Sequence, residues 1–246
     1  MSHVCSYKDK IITITGGTGS FGSTFVKKLV TSDVAEVRIF SRDEKKQDDM
    51  RHHYNNDKIK FEIGDVRDKD RLVEVMRNVD YVFHLAAAVG VFNIVNNPLK
   101  SLLTNIQGTE NILQLAEKSM TPVFITSSSE VYGKNISDSL GESDDRILGS
   151  PLTLRWSYSE AKAIDESLAY AYYIEKGLPT RIVRFFNTVG PRQLGAYGMV
   201  VPRFIKSALA NQPLTIFGNG DQTRCFAHIY DVIDAVISVA FAENTI

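Results

Sequence analysis

Cysteine is nearly absent: Cys5 and Cys225 are the two in 246 residues. They lie far apart and outside any Cys-x-x-Cys frame, so neither a disulfide framework nor a zinc site is available, and the usage fits a reducing compartment. An excess of one charge is lacking too. The 28 Lys and Arg against 29 Asp and Glu leave a formal net charge of −1, which points away from nucleic acid and from an anionic membrane surface as partners. No apolar run approaches the roughly 20 residues needed to cross a bilayer, and the opening MSHVCSYK lacks the apolar centre of a secretory signal, so a cytoplasmic location is expected. Without secretion the glycosylation triplet Asn135-Ile136-Ser137 carries no weight. His3, His52, His53, His84 and His228 are scattered without metal-ligand spacing, and no metal is expected. His84 sits in an apolar run and reads as a satisfied core residue, and Trp156 reads as packing.

The composition, 43% apolar and 23% charged, is that of a soluble globular chain. Short runs rich in Ile, Val and Phe occur at 10–15, 37–41, 60–63, 81–86, 123–127 and 181–186, with little polar alternation, so both faces of each strand should be covered. Helical stretches at 20–31, 69–77, 98–118 and 157–176 alternate with them. A doubly wound α/β fold with a parallel sheet and right-handed crossovers follows. Beyond Gly190 the texture changes: Pro191, Pro202 and Pro213 interrupt it, and short elements at 214–217 and 231–241 intervene. We expect a nucleotide-binding domain over 1–190 and a smaller, truncated lobe over 191–246.

Residues 15–22, TGGTGSFG, set Gly16, Gly19 and Gly22 directly before a helix. Gly16 can make the tight turn, Gly19 lets backbone N–H groups approach a pyrophosphate, and Gly22 allows close helix–strand packing. With Thr18, Ser20 and Phe21 they form the expected cofactor loop, one residue longer in its first spacing than the standard dinucleotide fingerprint. The second strand ends in Ser41-Arg42-Asp43-Glu44-Lys45-Lys46. Ser41, Arg42 and Lys45 suit a 2′-phosphate and favour NADP, while Asp43 pulls towards NAD; the same stretch also reads as the start of a solvated, mixed-charge helix. Asp65 and Val66 are placed to meet the adenine, and Leu85, Ala86 and Ala87 provide small groups where a backbone must approach the cofactor.

Tyr158 and Lys162 stand four apart in a helical pattern and project from one face. A phenol with a pKa near 10 becomes a usable base beside an ammonium and an oxidised nicotinamide, and Lys162 would also bond the nicotinamide ribose. Such spacing recurs on many helices. It gains meaning from Ser128-Ser129-Glu130 just past the fifth strand, because ligands of open α/β sheets bind at that edge. Ser128 would bond the substrate oxygen that Tyr158 deprotonates, and Ser129 and Glu130 would flank a sugar, Glu130 as an acid or base.

The chain resembles the extended short-chain dehydrogenases/reductases of the NAD-dependent epimerase/dehydratase family, which act on nucleotide sugars. The matching pieces are TGGTGSFG at 15–22, GDVRD at 64–68, HLAAA at 84–88, NIQGT at 105–109, SSSEVYG at 127–133, YSEAK at 158–162, RFFNTVGPR at 184–192 and GDQTRCFAHIYDV at 220–232. The resemblance implies a Rossmann fold binding NAD(P) and a UDP-sugar substrate. It places Asn105 at the cofactor site as a support for the active-site helix, Asn187 and Arg192 at the nucleotide diphosphate, and Arg224 on phosphate. It also implies a homodimer through two helices, 98–118 and 157–176, with Ala169, Tyr170, Tyr172 and Tyr173 as contacts. The first 80 residues resemble polysaccharide-synthesis UDP-N-acetylglucosamine dehydratases that use NADP, and the remainder resembles UDP-sugar 4-epimerases and UDP-glucuronate decarboxylases. The 4,6-dehydratases carry Thr-Asp-Glu where this chain has Ser128-Ser129-Glu130, which disfavours dehydration. An epimerase working through a transient 4-keto sugar is the expected function, ahead of a decarboxylase or dehydratase; a non-catalytic dinucleotide-binding module is the alternative of another class.

Overall fold

The computed structural model describes residues 7–137, 139–195 and 198–242. Cys5, His3, residues 1–6 of the leader reading, and Ala196 and Tyr197 lie outside the described residues.

Six parallel strands form the main sheet: β1 (Ile11–Thr15), β2 (Glu36–Ser41), β3 (Ile59–Ile63), β4 (Tyr81–His84), β5 (Val123–Ser128) and β6 (Thr180–Phe185), in the order β3-β2-β1-β4-β5-β6. The order reverses between β1 and β4, which opens a crevice at their C-terminal ends. The central strands are buried on both faces, whereas β3 at the edge is half covered. One layer packs α1 (Ser20–Val30) and α8 (Ile229–Ala240) on the sheet, with Phe25, Leu29, Ile233 and Val236 against Ile12, Ile14 and Phe83. Phe83 is the hub of this face, its ring 4.7 Å from those of Phe25 and Tyr81 and 5.5 Å from that of Phe124. The other layer packs α3 (Lys69–Val75), α5 (Pro98–Ser119) and α6 (Ser157–Lys176) through Leu72, Ile112, Leu113, Ala116 and Ala169 against Val82, Val123 and Ile125. Among the described residues no helix is long and apolar enough to cross a membrane.

The differences from expectation have physical reasons. Glu44–Tyr54 is a full helix, α2, although it buries little beyond Gln47 and Met50. Capping explains it: the Asp43 carboxylate accepts from Lys46 N at 3.0 Å, and Lys45 pairs with Asp49 one turn on. Val91–Asn96 forms a short α4. The 214–217 run has no regular structure; Ile216 and Phe217 are exposed, with no second face to cover them. What stands apart from the main sheet is a two-stranded parallel pair, β7 (Asn187–Val189) with β8 (Phe226–His228), and α7 (Val200–Leu209), which buries no residue. By contrast α8, which the sequence reading put in the smaller lobe, returns to the main core, because Ile229, Ile233, Val236, Ile237 and Ala240 form one apolar stripe. Of the expected dimer contacts, Ala169 is fully buried within its own subunit and Tyr172 packs against the same core, while Tyr170 is exposed.

Candidate active site

Gly16 has φ +73°, and a Cβ there would lie 2.8 Å from Ala86 N; one on Gly22 would lie 2.6 Å from Gly16 O. These two glycines therefore serve the fold, one against the end of β4 and one against the loop. Around Gly19 the space is open, the nearest atom to a built Cβ being 3.4 Å away. Gly19 is also the N-cap of α1, with no side-chain cap and no acid in the first turn. An open, uncapped, positive helix end fits a dinucleotide pyrophosphate. Thr18 Oγ1 and Ser41 Oγ lie 2.7 Å apart and tie this loop to β2. The Phe21 ring turns to the core, 5.0 Å from Phe185, and the Ser20 hydroxyl donates to Pro191 O at 2.7 Å.

Beyond β2, the exposed Arg42 reaches Asp65 at 3.3 Å. Arg67 also holds Asp65, at 2.7 Å, and its hydrogen bonds, reinforced by the Arg42 charge, keep that carboxyl well below the usual range. Lys45 is turned along α2 to Asp49 and does not gather with Ser41 and Arg42. Asp43 is committed to capping α2 and to an ion pair with Lys46 at 2.8 Å. Val66 is buried, with Gly108 of α5 packed directly on it. Leu85 N and Ala86 N bond Thr15, at 3.1 and 3.2 Å. Ala87 follows, partly buried, and Asn105 spends both side-chain atoms on Ala88, at 2.7 and 3.3 Å. Asn105 thus braces the cofactor loop from α5, and its side chain has no free group for the crevice.

The catalytic candidates converge. Ser128 ends β5, and its Oγ accepts from Glu130 N at 3.2 Å, which turns the chain into a 3-10 turn over Ser129–Tyr132. Tyr158, in the first turn of α6, lies beside the Ser128 side chain, which favours its ionised form. Burial raises the phenol above its ordinary value and the charges of Asp165 and Glu130 add to that, while Lys162 and Ser128 pull it down. Lys162 is 2% exposed, and its ammonium lies 3.1 Å from the Asp165 carboxylate. Glu130 is held by Arg155 at 2.9 Å, and the Arg155 guanidinium stacks on Trp156 at 4.8 Å. Two residues were missed by sequence reasoning. Asp165, three beyond Lys162, and Arg155, three before Tyr158, were visible as spacings, but an acid or base at i±3 is ordinary on any helix surface.

The substrate-side candidates do not converge. Asn187 donates to Cys225 O at 3.0 Å, which ties β7 to the strand beside it. Arg192, at φ 65°, reaches back to Thr24 of α1 at 2.8 Å. Arg224 is exposed and bonds the neighbouring Thr223 O at 2.7 Å.

A reversed-order parallel sheet with an open glycine corner and a Tyr/Lys helix face at the crevice defines an NAD(P)-binding enzyme scaffold of the short-chain dehydrogenase type. Over residues 12–245 the chain matches the NAD dependent epimerase/dehydratase family, and it belongs to that family. It is 39% identical over 228 residues to the UDP-N-acetyl-alpha-D-glucosaminuronate decarboxylase of Bacillus cytotoxicus, covering 92% of this chain and 69% of that protein. It is 37% identical over 240 residues to the UDP-glucose 4-epimerase of Rickettsia bellii, covering 94% and 62%. It spans about half the length of the Arabidopsis thaliana UDP-glucuronic acid decarboxylases that it matches. Among solved structures, the UDP-glucuronic acid 4-epimerase of Bacillus cereus, in complex with UDP-glucuronic acid and NAD, superposes with a TM-score of 0.84 at 28% identity, covering 95% of this chain and 74% of that one.

Proposed function

We propose that this chain is an NAD(P)-dependent UDP-sugar 4-epimerase working through a 4-keto sugar. The observation that carries the reading is the Tyr158 phenol, set beside Ser128 at the sheet edge and one helical turn from the buried Lys162 ammonium. A bound nicotinamide would supply hydride acceptance and return at sugar C4. Tyr158 takes the proton of the 4-OH and later restores it; Lys162 lowers the cost of the phenolate and holds the nicotinamide ribose; Ser128 orients the oxygen. Ser129 and Glu130 flank the sugar, and Asn187, Arg192 and Arg224, each bonded elsewhere in the free chain, would turn to the nucleotide diphosphate on binding.

Ser41 and Arg42 at the β2 end support NADP, since Asp43, the acid that would receive a ribose 2′-OH, is spent on α2. The Bacillus cereus relative holds NAD, so the affinity ratio for the two dinucleotides is the direct measurement. The outer faces of α5 and α6 expose Leu103, Ile164 and Ile174, which supports a homodimer, to be checked by sedimentation.

A second reading, decarboxylation of a UDP-uronate, is favoured by Arg155, which puts a cation beside Glu130, and by the Bacillus cytotoxicus relative. Incubation with UDP-glucose, UDP-glucuronate and their N-acetylated relatives, with products resolved by mass, separates the two. Epimerisation leaves the mass unchanged; a loss of about 44 mass units means decarboxylation, and about 18 means dehydration.

A further inference from the structure

Polar groups kept from water are costly unless each finds a partner. Behind the Tyr158–Lys162 face lies a column of five such groups drawn from four elements. Thr15 ends β1, His84 ends β4, Thr109 lies within α5, and Asp165 and Lys162 lie on α6; none is more than 2% exposed. Thr15 Oγ1 and His84 Nδ1 are 2.8 Å apart, His84 Nε2 and Thr109 Oγ1 3.2 Å, and Lys162 Nζ and Asp165 Oδ2 3.1 Å. Burial raises the Asp165 carboxyl above its ordinary value, while the charge and hydrogen bond of Lys162, and then Thr109, favour the carboxylate; its Oδ1 is buried without a hydrogen-bond partner. At the far end Ala86 N donates to Thr15 Oγ1 at 3.2 Å. One assignment of protons fits the run: Ala86 N–H to Thr15, Thr15 O–H to His84 Nδ1 and His84 Nε2–H to Thr109, which leaves the Thr109 hydroxyl proton free for the unpartnered Asp165 Oδ1.

We propose that Asp165 is the positioning residue for Lys162: it supplies the counter-charge that keeps the ammonium ionised in a dry site and, through Thr109 and His84, fixes that ammonium relative to the cofactor loop at Ala86. The inference rests on the reading that a dinucleotide binds here. The groups facing Lys162 are Asp165, Tyr158 and Glu166 on its own helix and His84 from β4. Those facing Asp165 are Lys162, Glu166 and Thr109, and Glu130 faces Tyr158 from the turn after β5. Burial alone would drive Lys162 towards the neutral amine, and the charges of Asp165 and Tyr158 overcome it. His84 is pushed down to about 3 by burial, with the Lys162 charge adding to it. It is therefore a neutral connector throughout the working range, and the acid paired directly with the Lys162 ammonium is Asp165, at 3.1 Å.

An ammonium stripped of its buried counter-ion must shed its proton at lower pH, so whatever it contributes to binding is present below the new pKa and lost as pH rises through it. The test is NADPH and NADH affinity, read by cofactor fluorescence from roughly pH 6 to 9 with no sugar present. The wild-type should vary by less than about threefold over that range. Asp165→Asn should weaken by about tenfold or more towards the alkaline end; the double variant Lys162→Gln/Asp165→Asn should be weak and flat; and Asp165→Glu, which restores the charge, should be flat. Asp165→Asn with wild-type affinity at every pH, or weakened equally at every pH, would overturn the proposal. If Asp165→Asn does not fold, the double variant decides: it should fold, because no unpaired buried charge remains, and a double variant that also fails to fold overturns the proposal. Failure of the wild-type to bind either dinucleotide overturns the cofactor reading itself, and this inference with it.

Discussion

The two ends of the candidate site are built differently. Around α6 the candidate groups are dry and held: Lys162, Asp165, Thr109 and His84 are at most 2% exposed, Lys162 is bonded to Asp165 and His84 to Thr109. Apart from the main sheet, Asn187, Arg192 and Arg224 are exposed, and two of the three bond backbone carbonyls nearby. Groups locked by burial are positioned by the folding free energy itself, so their geometry exists before any ligand arrives. Exposed arginines on short elements acquire theirs on binding, at an entropic cost of about 0.5–1.5 kcal/mol per side chain. On the proposed function, the reaction class would be set in the core and the choice of sugar at a surface.

Breaking the locked end should have the largest effect. Tyr158→Phe removes the ionisable oxygen and keeps the ring, so turnover should fall by about a thousandfold, while NADPH affinity stays within about threefold. Loss of both would mean that the phenol holds structure rather than moves a proton, and unchanged turnover would favour the non-catalytic module. Stability should divide along the same line. Phe83→Ala, at the aromatic hub, should lose about 3–5 kcal/mol in urea unfolding, whereas Leu209→Ala, 84% exposed on α7, should stay within about 0.5 kcal/mol. A comparable loss at Leu209 would mean that the lobe packs against something in solution, for instance a second copy.

Smaller effects sharpen the cofactor corner. Arg42→Ala should weaken NADPH by about tenfold and leave NADH nearly unchanged, as expected for loss of one charge-assisted contact to a 2′-phosphate. Equal weakening of both would assign Arg42 to Asp65 alone. Arg155→Gln should lower turnover by roughly tenfold through a less well-held Glu130, with dinucleotide affinity unmoved; a change in dinucleotide affinity would place Arg155 elsewhere in the site.

The legible parts of this molecule are those whose physics is local. Each main strand is a run of β-branched or aromatic residues and was found to within two residues, and α6 stops where the left-handed Gly177 dictates, although no side chain caps its start. Helix α2 reads in the sequence only as the start of a solvated, mixed-charge helix, because EKKQDDMRHHY has no apolar stripe, and caps rather than packing sustain it. Pro202 was read as an interruption, yet it sits in the first turn of α7, where a missing N–H breaks no helical bond. The destination of α8 could not be read, since an amphipathic stripe states that a face will be buried and not against what. The same limit hid Asp165: an acid three residues after a lysine is unremarkable until the tertiary structure removes water from both.

The smallest expected effect concerns acid stability at the mouth of the cofactor corner. Arg67 bonds Asp65 directly and Arg42 lies beyond it, so its folded pKa is depressed below the ordinary carboxylate value of about 3.9. A depressed carboxylate contributes stability that is present above the unfolded pKa and is lost as pH falls through the folded one. Asp65 is partly exposed, with 23% of its side chain accessible, so solvent screening holds the contribution to about 1 kcal/mol. Asp65→Asn should therefore be slightly less stable than the wild-type at neutral pH, and the gap should close as pH falls below about 4. A gap that persists into acid would show that Asp65 acts through neutral hydrogen bonds to the Arg67 backbone. The basic β2 corner would then owe little to charge, and the NADP reading built on it would weaken with it.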